Sequence, residues 1–375
     1  MKLFDVYPLY NVTPVKAKGA QVIDDKGIEY LDLYGGHAVM SIGHAHPHYV
    51  KRLKDQIDTI GFYSNAVQNP LQQQVADKLG TLSGCDNYEL FFVSSGAEAN
   101  ENALKLASFA TGKHKVVSFK SGFHGRTSAT VAATDNPKIV APLNAQHQVA
   151  ILELGDIEAL EKTLTQGDCC AVIVEFIQGV GGLDIATADF YKKAATLCKT
   201  YGVKFIADEV QSGFGRSGDF FAFQEYGIHP DVITMAKGMG NGFPVGGILV
   251  HPSIASWHGM LGTTFGGNHL ACAATLAVLE VLEEEQLIAH AKAMEVYFRK
   301  QVAVLDIPAT VKGRGLMLGL DLGFAVSDLR KKLIYDHHIF TGGAMNKNVL
   351  RILPPLTIKE TQIDQFFTAL KAALA

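Results

Sequence analysis

The chain has 375 residues, 48% of them hydrophobic and 19% charged, and a formal net charge of -4. That length exceeds what one hydrophobic core usually fills, so two domains are expected. A balance this near neutral, with no cluster of basic residues, excludes the electrostatic footprint of a protein that binds nucleic acid or an anionic membrane surface. Five cysteines with no Cys-x-x-Cys spacing suit neither a disulfide framework nor a zinc site. No uncharged apolar run reaches the roughly 18 residues of a membrane span, and Met1 to Pro8 lacks the apolar segment of a signal peptide. The expectation is a soluble cytoplasmic protein whose ligands are small metabolites.

In chain order, residues 18 to 33 read as a hairpin, with Ala20 to Ile23 and Ile28 to Leu33 on either side of Asp24-Asp25-Lys26-Gly27. Helical patterns follow near 47 to 60 and 70 to 83. From about 88 onward the apolar strands Leu90 to Val93, Val116 to Phe119, Cys170 to Glu175, Val203 to Asp208 and Val232 to Met235 mostly alternate with helical patterns. Such alternation predicts an α/β fold, a mostly parallel sheet covered by helices on both faces. After Gly267 come two long amphipathic helices, 268 to 285 and 287 to 303, then short strands around 309 to 322 and 349 to 352, and a last helix from about 359. These predict a smaller α+β domain. The hairpin cannot bury its apolar face alone and is expected to join it. The expected division is 1–45 with the small domain, 46–267 as the large domain and 268–375 as the small domain.

Lys237 lies between small residues just past a strand, 29 positions after Asp208, and a lysine so placed invites a Schiff base. Asp208 closes another strand, where a carboxylate could face the pyridinium nitrogen of pyridoxal phosphate. Ser95-Gly96-Ala97 sits where a strand ends and a helix begins. Its backbone N–H groups can bind a phosphate, although Ser95 as a simple N-cap explains the same residues. Phe123 offers an aromatic face, His124 follows it, and Arg126 could fork onto a carboxylate. Glu175, also at a strand end, could hydrogen-bond around Gln211 and Asp208. Candidate groups at several strand ends favour one shared crevice.

Other motifs are weaker. Gly213-Phe214-Gly215-Arg216-Ser217-Gly218 has the spelling of a dinucleotide-binding turn, but Asp208 and Glu209 just before it would repel a pyrophosphate. His44, His46 and His48 lie too close together to converge on one ion from a helix, so no metal is expected. Thr263 and Thr264 precede a helix and serve as caps or phosphate contacts. Arg351 is a charge amid apolar residues, either ion-paired or directed at a ligand.

Taken together and in this order, these segments resemble the subgroup-III, fold-type-I aminotransferases, and more narrowly the acetylornithine and succinylornithine aminotransferases. The resemblance runs from Leu31-Asp32-Leu33 to Arg351. It implies that Lys237 condenses with pyridoxal phosphate and shuttles the proton, and that Asp208 keeps the ring nitrogen protonated. Phe123 would stack on the ring, Val210 and Gln211 would flank it, and Gly96 and Ala97 would hold the phosphate. Thr264 would reach the phosphate from the partner subunit of a homodimer. Arg126 matches the family's carboxylate-binding arginine, and Thr263 takes a substrate-contacting position. The implied reaction passes the δ-amine of an N-acylornithine to 2-oxoglutarate, giving glutamate, in arginine biosynthesis; ornithine or 4-aminobutyrate is the alternative donor. The family usually shows Glu-Pro-Ile-Gln-Gly-Glu-Gly-Gly where this chain has Glu175-Phe176-Ile177-Gln178-Gly179-Val180-Gly181-Gly182. Val180 cannot mask Arg351 as the second glutamate can. The expectation is an Arg351 more open to a carboxylate, favouring a succinyl-bearing substrate over free ornithine.

Overall fold

The structure, a computed structural model, describes residues 1–305 and 307–375. Three short strands open it, β1 (Pro14–Lys18), β2 (Gln21–Asp24) and β3 (Glu29–Asp32). The tight turn between β2 and β3 closes because Asp24 Oδ1 accepts the backbone N–H groups of Lys26 and Ile28 at 3.0 and 2.8 Å. A distorted turn, α1 (Gly35–Ala38), leads to α2 (Pro47–Thr59) and α3 (Pro70–Ser83), both of which start on a proline whose missing N–H costs nothing there.

Strands and helices then alternate as β4 (Glu89–Val93), α4 (Gly96–Thr111), β5 (Lys115–Phe119), α5 (Ser128–Ala133), β6 (Val149–Leu152) and α6 (Ile157–Leu164). They continue as β7 (Cys169–Val174), α7 (Ala188–Tyr201), β8 (Lys204–Asp208), β9 (Val232–Met235) and β10 (Gly246–Val250). The chain closes with α8 (His269–Glu284), α9 (Leu287–Ala303), β11 (Thr310–Arg314), β12 (Met317–Asp321) and α10 (Ser327–Tyr335). Last come β13 (Ile339–Phe340), β14 (Gly342–Gly343), β15 (Val349–Ile352) and α11 (Glu360–Leu374).

The central sheet has seven strands in the order β4-β10-β9-β8-β7-β5-β6. Its pairs are parallel except that β10 runs antiparallel to both β4 and β9. Every residue of β7 is buried, as a central strand covered on both faces requires. β10 and β6 are absent from the strands expected from sequence. The two glycines that open β10 read as breakers, yet packing demands them: a Cβ at Gly246 would fall 2.8 Å from the Met235 carbonyl oxygen and 2.9 Å from that of Ser95.

Two smaller sheets flank this one, β1-β2-β3-β13 and β11-β12-β15-β14. β3 pairs in parallel with β13, so the amino-terminal strands take their fourth partner from far along the chain. Neither β1 nor α10 is foreseen in the sequence reading. The helix expected to be amphipathic over 268 to 285 differs in the structure. Eleven of the sixteen residues of α8 are buried, because α2 and α3 pack over it. Among the described residues, no helix is long and apolar enough to cross a membrane.

Candidate active site

The parallel strands deliver their carboxyl ends to one crevice, a cavity of about 410 Å³. β9 ends just before Lys237, β8 ends on Asp208, β7 is followed directly by Glu175, and β5 leads into the loop of Phe123 and His124. All five residues border the cavity, as do Ser95, Gly96 and Ala97 where β4 passes into α4. Val210, Gln211 and Arg126 complete the set, so residues spread over more than 140 positions meet at one sheet edge.

Asp208 is buried and fully engaged. Its Oδ2 accepts Nδ1–H of His124 at 2.7 Å and the Asn100 amide at 2.8 Å, while Oδ1 accepts the Val210 backbone N–H at 3.1 Å. Burial alone would lower the pKa of His124, but the hydrogen bond and charge of Asp208, with Glu175 beyond, raise it above its ordinary value. His124 was expected at the cofactor; it borders the cavity, but its resolved hydrogen bond runs to Asp208. Asn100 also borders the cavity, and the sequence reading did not single it out. It sits one turn into α4, buried, and its amide also donates to the His124 carbonyl at 2.7 Å. The available signal was a polar residue among the alanines of the buried helix face.

Lys237 begins a short 3₁₀ turn with φ of +44°, a left-handed conformation that costs a non-glycine residue energy. Its side chain is half-buried, and burial lowers its pKa to about 8 against the pull of Glu175 and Asp208, with Arg351 lowering it further. A neutral amine is therefore accessible near neutral pH, as a nucleophile that attacks an aldehyde requires.

Glu175 corrects an expectation. Its oxygens do not bond around Gln211 and Asp208; they accept the backbone N–H groups of Phe123 and Gly179, each at 2.9 Å. Burial and the charge of Asp208 push its pKa up, opposed by His124 and these two N–H groups. Gln211 is buried, and its Oε1 finds no partner among the described residues.

The N-cap reading of Ser95 holds. Its hydroxyl caps α4 by accepting the Glu98 N–H at 3.2 Å, and Glu98 returns a carboxylate to the Ser94 N–H at 2.6 Å. That box leaves the first helical N–H groups, those of Gly96 and Ala97, without intrahelical acceptors at the positive end of the helix dipole. Neither Gly96 nor Gly125 has room for a side chain. A Cβ at Gly96 would lie 2.6 Å from Val210 Cγ1, and one at Gly125 2.7 Å from Thr130 Oγ1.

Arg126 borders the cavity and is exposed. Arg351 is buried; Nη1 donates to the Gly179 carbonyl at 2.8 Å and Nε to the Gly343 carbonyl at 2.5 Å, with the guanidinium 5.9 Å from the ring centroid of Tyr34. Among the described residues it has no carboxylate within ion-pair distance, and burial lowers its pKa. Val180 borders the cavity nearby. Thr263 and Thr264 are not brought to the cavity of their own chain. Thr264 is exposed, and the Thr263 hydroxyl accepts the Gly266 N–H at 3.1 Å.

The weaker motifs are structural. His44, His46 and His48 turn to Asp32, Glu285 and Glu280 at 2.8, 2.9 and 2.6 Å, and the described residues hold no cluster fit for a metal. Arg216 of the glycine-rich turn is buried, donating to the carbonyls of Leu316, Pro354 and Met40. It stitches the chain together and is not among the residues that border the cavity.

The donor set fits pyridoxal phosphate. A buried carboxylate is held rigidly for a ring nitrogen, an amine of depressed pKa awaits an aldehyde, an unpartnered Gln211 oxygen points to a missing donor, and a side-chain-free helix start suits a phosphate.

Comparison with known proteins agrees. The family described as Aminotransferase class-III matches residues 6–374. The acetylornithine aminotransferase of Bacillus subtilis is 39% identical over 383 residues, covering 100% of this chain and 97% of that protein. That of Archaeoglobus fulgidus is 40% identical over 366 residues, covering 97% and 96%. Among solved structures, the ornithine aminotransferase of Toxoplasma gondii ME49 superposes with a TM-score of 0.89 at 27% identity, covering 98% of this chain and 91% of that one.

Proposed function

Because the chain belongs to the class-III aminotransferases, a family that uses pyridoxal phosphate, we propose that it transfers the δ-amino group of an N-acylornithine, acetyl or succinyl, to 2-oxoglutarate. The observation that carries the chemistry is the convergence of Lys237, Asp208 and the α4 amino terminus on one cavity. The substrate reading is supported by relatives named acetylornithine aminotransferases at 39% and 40% identity. Free ornithine is the second reading, favoured by the solved ornithine aminotransferases, but those stand at 27% identity.

When bound, pyridoxal phosphate supplies an electron sink for the pair left on the amine-bearing carbon. Lys237 Nζ, neutral above about pH 8 and poised near it at neutral pH, takes the proton from that carbon and returns it elsewhere. Asp208 would hold the ring nitrogen protonated, and His124 and Asn100 keep its carboxylate in one orientation. Phe123 would cover the ring face and Val210 and Gln211 would flank it, while Gly96 and Ala97 would offer backbone N–H groups to the phosphate; all five border the cavity. Arg126 and Arg351 take carboxylates, one for each end of 2-oxoglutarate. This reading places the second product, glutamate, in arginine biosynthesis and the enzyme in the cytoplasm.

We further infer a homodimer. Thr264 lies outside its own cavity and exposed, which suits a residue that completes the phosphate site of a partner, with Thr263 beside it at the substrate. The division into 1–45 with 268–375, and 46–267, belongs to the same proposal.

The test is steady-state turnover of N-acetylornithine, N-succinylornithine, ornithine and 4-aminobutyrate with 2-oxoglutarate, using cofactor-loaded enzyme. Turnover of an acylated ornithine above both unacylated amines is expected. Preference for free ornithine would replace the first reading with the second.

A further inference from the structure

We propose that Glu175 is a positioning residue that couples the aromatic platform at Phe123 to the carboxylate-binding Arg351, an inference that rests on the function proposed above for those two residues. Glu175 is buried immediately after β7, and its two oxygens serve two different loops. Oε1 accepts the N–H of Phe123 at 2.9 Å, in the loop after β5. Oε2 accepts the N–H of Gly179 at 2.9 Å, in the loop after β7. The Gly179 carbonyl then accepts Nη1–H of Arg351 at 2.8 Å. Two hydrogen bonds to one carboxylate and one more across a glycine thus join Phe123 at the cavity to Arg351.

The loop that carries this path is clamped. Nε2 of Gln178 donates to the Lys120 carbonyl at 2.7 Å, and the carbonyls of Val180 and Gly181 accept the N–H groups of Met345 and Asn346 at 2.9 and 3.1 Å. A Cβ at Gly179 would strike Oε1 of Gln211, so the glycine lets the Gln211 side chain lie against the loop. With its neighbours bonded, a change in the Glu175 bond to the Gly179 N–H is transmitted to the Gly179 carbonyl. Among the described residues the hydrogen bonds of Arg351 run to carbonyls, so its aim depends on where the Gly179 and Gly343 oxygens lie.

The chemistry at position 175 calls for a carboxylate. Both partners are N–H donors, so the side chain must accept twice; an amide accepts once and would turn its own N–H toward a donor. Keeping an acid buried beside Asp208 is unfavourable, which a strand end with no further role would avoid by carrying a neutral residue.

The experiment is E175Q in the cofactor-loaded enzyme, with each half-reaction followed separately by cofactor absorbance. The apparent affinity for 2-oxoglutarate should fall about ten- to a hundred-fold, the range set by losing one charge-assisted hydrogen bond. The amine half-reaction should fall several-fold less. R351K should cost less in the E175Q background than alone, because the two act on one contact. Equal losses in both half-reactions, or an R351K cost that is the same in both backgrounds, would overturn the coupling. Should E175Q not fold, E175D, which keeps the charge but shortens the reach to both N–H groups, must show the same selective loss; an even loss refutes the proposal. The 2-oxoglutarate half-reaction can be read with glutamate as the amine. Absence of acylornithine turnover in the parent enzyme would therefore sink the proposed donor without touching this coupling.

Discussion

Nδ1 of His124 donates to Oδ2 of Asp208 across 2.7 Å, and neither side chain exposes more than 3% of its surface. Since the carboxylate can only accept, the proton sits on Nδ1, and the charge of Asp208 is fixed in one rotamer by a second donor from Asn100. A carboxylate so held can meet a ring nitrogen without paying for reorganisation during the reaction.

D208N should therefore lower kcat by at least roughly 10²- to 10³-fold, the scale of removing one preorganised electrostatic partner. H124L should lose about tenfold and H124N, which keeps a donor near the Nδ1 position, much less. Single-turnover rates and the absorbance maximum of the bound cofactor check both; an H124L enzyme with a parental spectrum and rate would contradict the role of the pair.

Lys237 carries the pH prediction. Its folded pKa is lowered from 10.5 to about 8, so the neutral amine appears as pH rises through about 8 and protonation removes it below. The rate at which the cofactor-free protein acquires its yellow chromophore on adding pyridoxal phosphate should climb to about pH 8 and level off above. An ordinary lysine would keep climbing toward pH 10. K237A should show no such chromophore at any pH.

The helix start allows no side chain. G96A places a Cβ 2.6 Å from Val210 Cγ1, and G125A one 2.7 Å from Thr130 Oγ1 at a φ of +140°. Each should destabilise the protein by about 1–3 kcal/mol, as over-packing does, and weaken pyridoxal phosphate binding as read by titration of the cofactor-free form. A variant with parental melting temperature and affinity would show that the cradle tolerates more than its geometry allows.

Val180 borders the cavity near an Arg351 that has only carbonyl partners among the described residues. V180E would set a carboxylate against that guanidinium. The KM for 2-oxoglutarate should rise by about tenfold while turnover of free ornithine improves relative to N-succinylornithine. An unchanged ratio between the two amines would show that position 180 does not influence donor choice.

Arg216 separates scaffold from chemistry. R216M removes three buried carbonyl contacts and should lower the melting temperature by several degrees, on the order of 2–4 kcal/mol for a broken buried polar network. The specific activity of the folded fraction should stay near parental. A selective loss of activity at unchanged stability would return that glycine-rich turn to the ligand.

Sequence alone determined the class of fold, because apolar strands alternating with helical patterns are a local signal that survives without coordinates. It likewise carried Lys237, Asp208, the Ser95–Ala97 junction and Phe123, since each stands at the end of a strand whose period can be read in place. Packing between distant segments decided the rest. Glycines that look like breakers form β10 because Met235 and Ser95 leave no space for a Cβ, and α8 is buried on nearly all sides because α2 and α3 cover it. Asn100 of α4 behind Asp208, and Glu175 reaching to Phe123 and Gly179 in place of Gln211, are hydrogen bonds from strand ends to a helix and to loops that the sheet order brings beside them. A linear reading can place a donor or an acceptor on a strand end, but which of them meet is set by the neighbour that the sheet supplies.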